Sequence, residues 1–90
     1  MNIENWSVMS VTNMRSMFSG TNFNQDIGGW RTNYVTDMAS MFSSTSFNRN
    51  ISSWNVGKVE YMNNMFSHNT AFNQPIGNWD VSNVVNMDQM

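Results

Sequence analysis

Apolar residues recur along this chain at fixed intervals, with small polar residues between them. The tryptophans are Trp6, Trp30, Trp54 and Trp79, spaced by 24, 24 and 25 residues. Each follows an isoleucine by three positions (Ile3, Ile27, Ile51, Ile76) and precedes a valine by five (Val11, Val35, Val59, Val84). A methionine comes three residues after that valine (Met14, Met38, Met62, Met87). A second methionine and a phenylalanine continue the pattern, as in Met41 and Phe42, and a loop phenylalanine such as Phe47 completes it. A period of this length marks a stacked array, in which one unit cannot bury its own apolar face. The expected units are 3–26, 27–50, 51–75 and an incomplete 76–90, together one segment over 1–90 and part of a longer array.

The pattern changes period within each unit. Trp-x-Val alternates, which predicts a strand with one buried face. From the second valine the spacing is three, three and one (Val11, Met14, Met17, Phe18), which predicts a short helix with those side chains on one face. Such a helix is too short to stand alone and has to be held by packing. Ser10, Asn33 and Ser82 stand where its N-caps belong, and the third unit offers only Gly57. The expected fold is therefore an α/β repeat solenoid: a right-handed superhelix with one short parallel strand and one short helix per 24–25 residue coil. The columns become core ladders, in which Trp30→Ala should cost about 3–5 kcal/mol and Thr21→Ala should cost little.

Two departures stand out. Thr32 replaces the valine found two residues after the other tryptophans, and the loop between Phe66 and Phe72 is one residue longer than its counterparts. No unit with a polar outer face closes either end, so self-association through uncapped ends is expected.

Composition adds mainly exclusions. The net charge is −2 with 11% charged residues, which gives no basic patch for nucleic acid. Cysteine is absent, and with it any disulfide framework or thiolate chemistry. No apolar run reaches the roughly 18 residues of a spanning helix, so direct membrane insertion is not expected.

The segment Trp-Asp-Val-Ser-Asn-Val-Val-Asn-Met (79–87), with Met65, Phe66 and Phe-Asn-Gln-Pro-Ile (72–76) before it, resembles the repeat of BspA-like leucine-rich-repeat surface proteins. The same repeat is described as a mycoplasma lipoprotein-associated repeat of unknown function. The resemblance covers essentially the whole chain. It implies a leucine-rich-repeat-like fold, a cell-surface or secreted setting, and adhesion or partner binding.

Candidate chemistry is sparse. Asn24, Asn48 and Asn73 each follow the loop phenylalanine and read as a structural ladder satisfying backbone groups. The methionine stripe reads as core rather than a soft-metal site. His68 is the only histidine and has no carboxylate nearby in sequence. Asn5 and Asn50 each begin a glycosylation-type triplet, in a sequence where asparagine and serine are common enough to produce such matches by chance. No nucleophile–base arrangement, phosphate loop or zinc spacing is present, so no enzyme activity, cofactor or metal is expected. The remaining candidate is the outward face of the strands. Its named positions are Gly29, Arg31, Asn33, Asn55 and Asp80, where a protein or glycan partner would bind. The rival expectation is a structural block that packs end to end or within a larger assembly.

Overall fold

The segment between the paired methionines shows why the expected helix does not form. In a computed structural model that describes residues 3–90, Ser16, Ser40, Asn64 and Gln89 all lie at positive φ, between 55° and 59°. That conformation ends an α-helix at once. The Met17 N–H donates to the Met14 carbonyl at 3.2 Å, and Met41 to Met38 and Met65 to Met62 do the same. These are four-residue turns with positive φ at the third residue, the requirement of a type II turn. Ser19 donates to Ser16 and Thr21 to Phe18, so the path continues as linked turns. Serine, asparagine and glycine dominate here, and all favour turns over helix.

The strand does not form either. Turns closed by Trp6 N–H to Ile3 and by Val11 N–H to Val8 flank Trp-x-Val, and their counterparts recur in the other repeats. Only a residue or two remains extended between them. Among the described residues there is no helix and no strand, only isolated parallel bridges linking Asn13, Asp37, Tyr61 and Asn86. The right-handed, leucine-rich-repeat-like α/β solenoid with one strand and one helix per coil is thereby overturned. Ser10, Asn33 and Ser82 have no helix to cap.

Instead, four turn-rich repeats pile up in register, and their backbone pairing runs through the segment assigned to the helix. The N–H groups of Met14, Ser16, Phe18 and Gly20 donate to the carbonyls of Asp37, Ala39, Met41 and Ser43 at 2.8–3.1 Å. Met38, Ser40, Phe42 and Ser44 donate likewise to Tyr61, Asn63, Met65 and Ser67, and Met62 and Asn64 to Asn86 and Asp88. Every second amide thus points to the next repeat. Asparagine or aspartate at the bridge closes the local turn: Asn13 Oδ1 accepts from Arg15 N–H, Asp37 Oδ1 from Ala39, and Asn86 Oδ1 from Asp88. Tyr61 has no such oxygen within reach of Asn63, and Asn63 Oδ1 is itself buried without a partner.

The core columns are as spaced in the sequence. Ile27, Val35, Met38, Met41, Phe42 and Phe47 are fully buried, as are Ile51, Val59, Met62 and Met65. Phenylalanine rings stack within each repeat, with centroids 3.8 Å apart for Phe18 and Phe23 and 4.1 Å for Phe42 and Phe47. Between repeats Phe18, Phe42 and Phe66 form one column at 5.7–5.8 Å, and Phe23, Phe47 and Phe72 a second at 6.0–6.2 Å. The rings are near-parallel throughout, within 5–15° for these pairs except where Phe66 stacks on Phe72 at 19°, and they bury much of the aromatic surface. The radius of gyration, 11.9 Å, is that of a compact domain of this length, about 12 Å. The outer repeats are less well covered: Trp6 is 49% exposed and Val85 72%, and Met17 and Met87 are also exposed.

Both sequence departures have local explanations. Thr32 is buried, and its hydroxyl donates to the Asn55 carbonyl of the next repeat at 2.9 Å. In the longer loop Asn69 replaces Thr21 and Thr45. Those threonines accept from the N–H two residues on, while Asn69 Oδ1 accepts from both Ala71 and Phe72 and absorbs the extra residue. Thr21 is therefore no neutral control, because its hydroxyl also donates to Phe18 O at 2.7 Å.

Candidate binding face

The asparagine column is structural. Asn24 Oδ1 accepts from Asn48 N–H at 2.9 Å, and Asn48 Oδ1 from Asn73 N–H at 3.0 Å. Arg49 Nε and Gln74 Nε2 reinforce it by donating to the carbonyls of Asn24 and Asn48. These side chains lie at the surface yet are engaged in holding repeats together.

The five positions read as a binding face do not form one surface feature. Gly29, Arg31, Asn55 and Asp80 are exposed and Asn33 is half-buried. Gly29 and Arg31 share a depression of about 190 Å³ with Trp6, Ser7, Val8 and Met9. Asn33 and Asn55 share a second, of about 390 Å³, with Tyr34, Gly57, Lys58 and Asn83. Asp80 lines neither. Its carboxylate accepts from the Ser82 hydroxyl and backbone N–H, which hold its pKa below the ordinary aspartate value.

The second depression has an organised floor. Asn55 Oδ1 accepts from Gly57 N–H at 2.9 Å, and Asn83 Nδ2 donates to Gly57 O at 2.6 Å, so the two peptide units on either side of the Gly57 Cα are each held by one carboxamide. Lys58 Nζ stands 4.3 Å from the centroid of the Tyr34 ring, a close cation–π contact. Tyr34 remains 48% exposed.

Sequence reasoning passed over Trp6, Tyr34, Lys58 and Asn83. Three of these occupy the position four residues after tryptophan, within the turn before the second valine, where the outward alternation no longer holds. A second surface cluster also went unnoticed. Arg15 Nε lies 2.7 Å from Asp37 Oδ2, and the guanidinium lies 5.9 Å from the Tyr61 ring centroid, tying three repeats together. His68, at φ 60°, simply fills the turn position held by Gly20 and Ser44. Among the described residues no three histidine, aspartate or glutamate side chains group to hold a metal, and no helix is long and apolar enough to cross a membrane.

No curated protein and no solved structure matches this chain. A family model does, over residues 1–90, under the description Mycoplasma protein of unknown function, DUF285. The match takes in all four repeats and both depressions, and the chain belongs to that family.

Proposed function

We propose that this chain is a non-catalytic repeat module, displayed at a cell surface or secreted, that binds a protein or glycan partner. It does so without a cofactor, through the surface carrying Gly29 and Arg31 in one depression, Asn33 and Asn55 in a second, and Asp80 apart from both. Kinship with BspA-like surface proteins, as distinct from their leucine-rich fold, is part of the same proposal. One observation carries the reading: four of these five residues line depressions in which aromatic and cationic side chains join them, Trp6 with Arg31 and Tyr34 with Lys58. Aromatic residues and arginine are the side chains that anchor interfaces. The test is a screen of surface proteins and glycans against the chain and its Arg31→Glu and Asp80→Lys variants. Weakened binding in either variant supports the face, and a partner indifferent to both overturns it.

A second reading, a structural block packing end to end, is favoured by the exposed apolar side chains of the outer repeats, Trp6, Met17, Val85 and Met87. Concentration-dependent association in sedimentation supports it, and a monomer across the micromolar range refutes it.

A further inference from the structure

We infer that the depression formed by Asn33, Tyr34, Asn55, Gly57, Lys58 and Asn83 is a site for a carboxylate-bearing sugar. The inference rests on the binding-module reading above and names the ligand class for one part of that face. Its chemistry follows from which groups are already engaged. Asn55 spends its oxygen on Gly57 N–H and Asn83 its amino group on Gly57 O. Asn55 Nδ2 and Asn83 Oδ1 are left without partners among the described residues, as are the Asn33 carboxamide and the Tyr34 hydroxyl. The site thus presents an amide donor on Asn55 and an amide acceptor on Asn83, each carboxamide held in place by its bond to the Gly57 backbone. Fixed amides suit neighbouring sugar hydroxyls, each both donor and acceptor.

Charge narrows the class. No carboxylate lines the depression, and Lys58 has no ion-pair partner among the described residues, although the whole chain is net negative. The cation lies against an aromatic face instead, available to an incoming anion. An acidic peptide would call for several cations, and Lys58 is the only one lining the site. One charge surrounded by neutral hydrogen-bonding groups fits one carboxylate on a body of hydroxyls. The volume, about 390 Å³, lies at the lower end of the usual small-ligand range of roughly 300–1,000 Å³, which suits a single sugar residue.

The test is titration of the chain with sialyllactose, lactose, sodium acetate and an aspartate-rich peptide, followed by amide and side-chain NMR shifts. The site requires sialyllactose to shift the resonances of Tyr34, Asn55, Gly57 and Asn83, and lactose to bind at least about tenfold more weakly. Lys58→Gln should lose about ten- to hundredfold in affinity, the scale of one charge-assisted hydrogen bond, while Lys58→Arg should retain most of it. Lys58 is exposed, so an unchanged melting temperature checks that the loss is local. Acetate or the peptide binding as tightly as the sugar acid would overturn the inference in favour of a plain anion site. A protein partner engaging the same face while sialyllactose shifts nothing would overturn the sugar and leave the binding module standing. No ligand of any class on the face would overturn both.

Discussion

The indole N–H of Trp54 donates to the main-chain carbonyl of Ile27, 2.9 Å away in the preceding repeat. Trp30 makes the same bond to Ile3 at 3.2 Å and Trp79 to Ile51 at 3.1 Å. Each isoleucine carbonyl also accepts the N–H of its own repeat's tryptophan, so both lone pairs are used. The tryptophan column is therefore a hydrogen-bonded seam as well as a stack. Trp54→Phe keeps an aromatic ring and removes the seam bond. It should cost about 1–2 kcal/mol, since the Ile27 carbonyl keeps one donor. Trp54→Ala should cost about 3–5 kcal/mol. Urea unfolding of the two variants separates the bond from the ring, with Ser46→Ala as a neutral surface control.

Gly28 and Gly29 are neighbours with opposite tolerance. A Cβ on Gly28 would stand 2.5 Å from the Asn50 carbonyl oxygen, a backbone atom that cannot swing aside. A Cβ on Gly29 meets nothing within 4 Å. Gly28→Ala should destabilise by about 1–3 kcal/mol, the range for overpacking. Gly29→Ala should stay within about 0.5 kcal/mol of wild type. Paired thermal melts distinguish them.

Ser44 holds φ at 55°, and the equivalent residue of the first repeat is Gly20 at 73°. Glycine relieves the left-handed penalty of roughly 1–2 kcal/mol while adding chain entropy to lose. Ser44→Gly should therefore match or exceed wild-type stability. Ser44→Val, with a branched Cβ at positive φ, should fall about 1–2 kcal/mol below it. Chemical denaturation midpoints are the readout.

Asn63 is the one place where the turn chemistry fails, because Tyr61 stands where the other repeats have asparagine or aspartate. The equivalent of Asn63 in the second repeat is Ala39, fully buried and trouble-free. Asn63→Ala removes the unpartnered oxygen and should raise stability by about 1 kcal/mol. For a domain of this size that is a rise in Tm of about 4–8 °C.

Asp80 gives a pH prediction. The Ser82 hydroxyl and backbone N–H lower its folded pKa, so its stabilising effect is complete above the unfolded value of 3.8 and is lost as pH falls through the lower folded value. Ser82→Ala removes the hydroxyl and keeps the amide, and should move the Asp80 titration upward toward 3.8. Carboxyl-carbon NMR titration measures this directly.

The sequence carried the core but misread the backbone, for a single geometric reason. Linked turns closed by i to i+3 bonds bring Met38, Met41 and Phe42 to one side, as a helix would. Spacing alone therefore could not tell turns from helix. The signal that could have done so was Ser16, Ser40 and Asn64 recurring midway between methionines, where a helix would favour alanine or leucine. Inward positions such as Ile27, Trp30 and Phe47 were legible because burial depends on the column and not on the dihedrals. The candidate face was legible only in part. Alternation placed Arg31 and Asn55 outward, but it was carried into a turn where consecutive residues such as Asn33 and Tyr34 both reach the surface.

The amides that link repeats across 14–20, and their equivalents across 38–44 and 62–64, all point the same way and give that segment an arrow, while just ahead of it Thr36, Glu60 and Val85 donate in the opposite sense to Thr12, Thr36 and Glu60. In that segment the first repeat lends its neighbour only N–H groups, and the fourth lends only carbonyls. Along that segment alone, the outward side of the first repeat is thus an acceptor edge and that of the fourth a donor edge. Two copies meeting by like faces would set acceptor against acceptor or donor against donor. A further layer that continued this segment's ladder would join it head to tail, so growth on this pattern is directional.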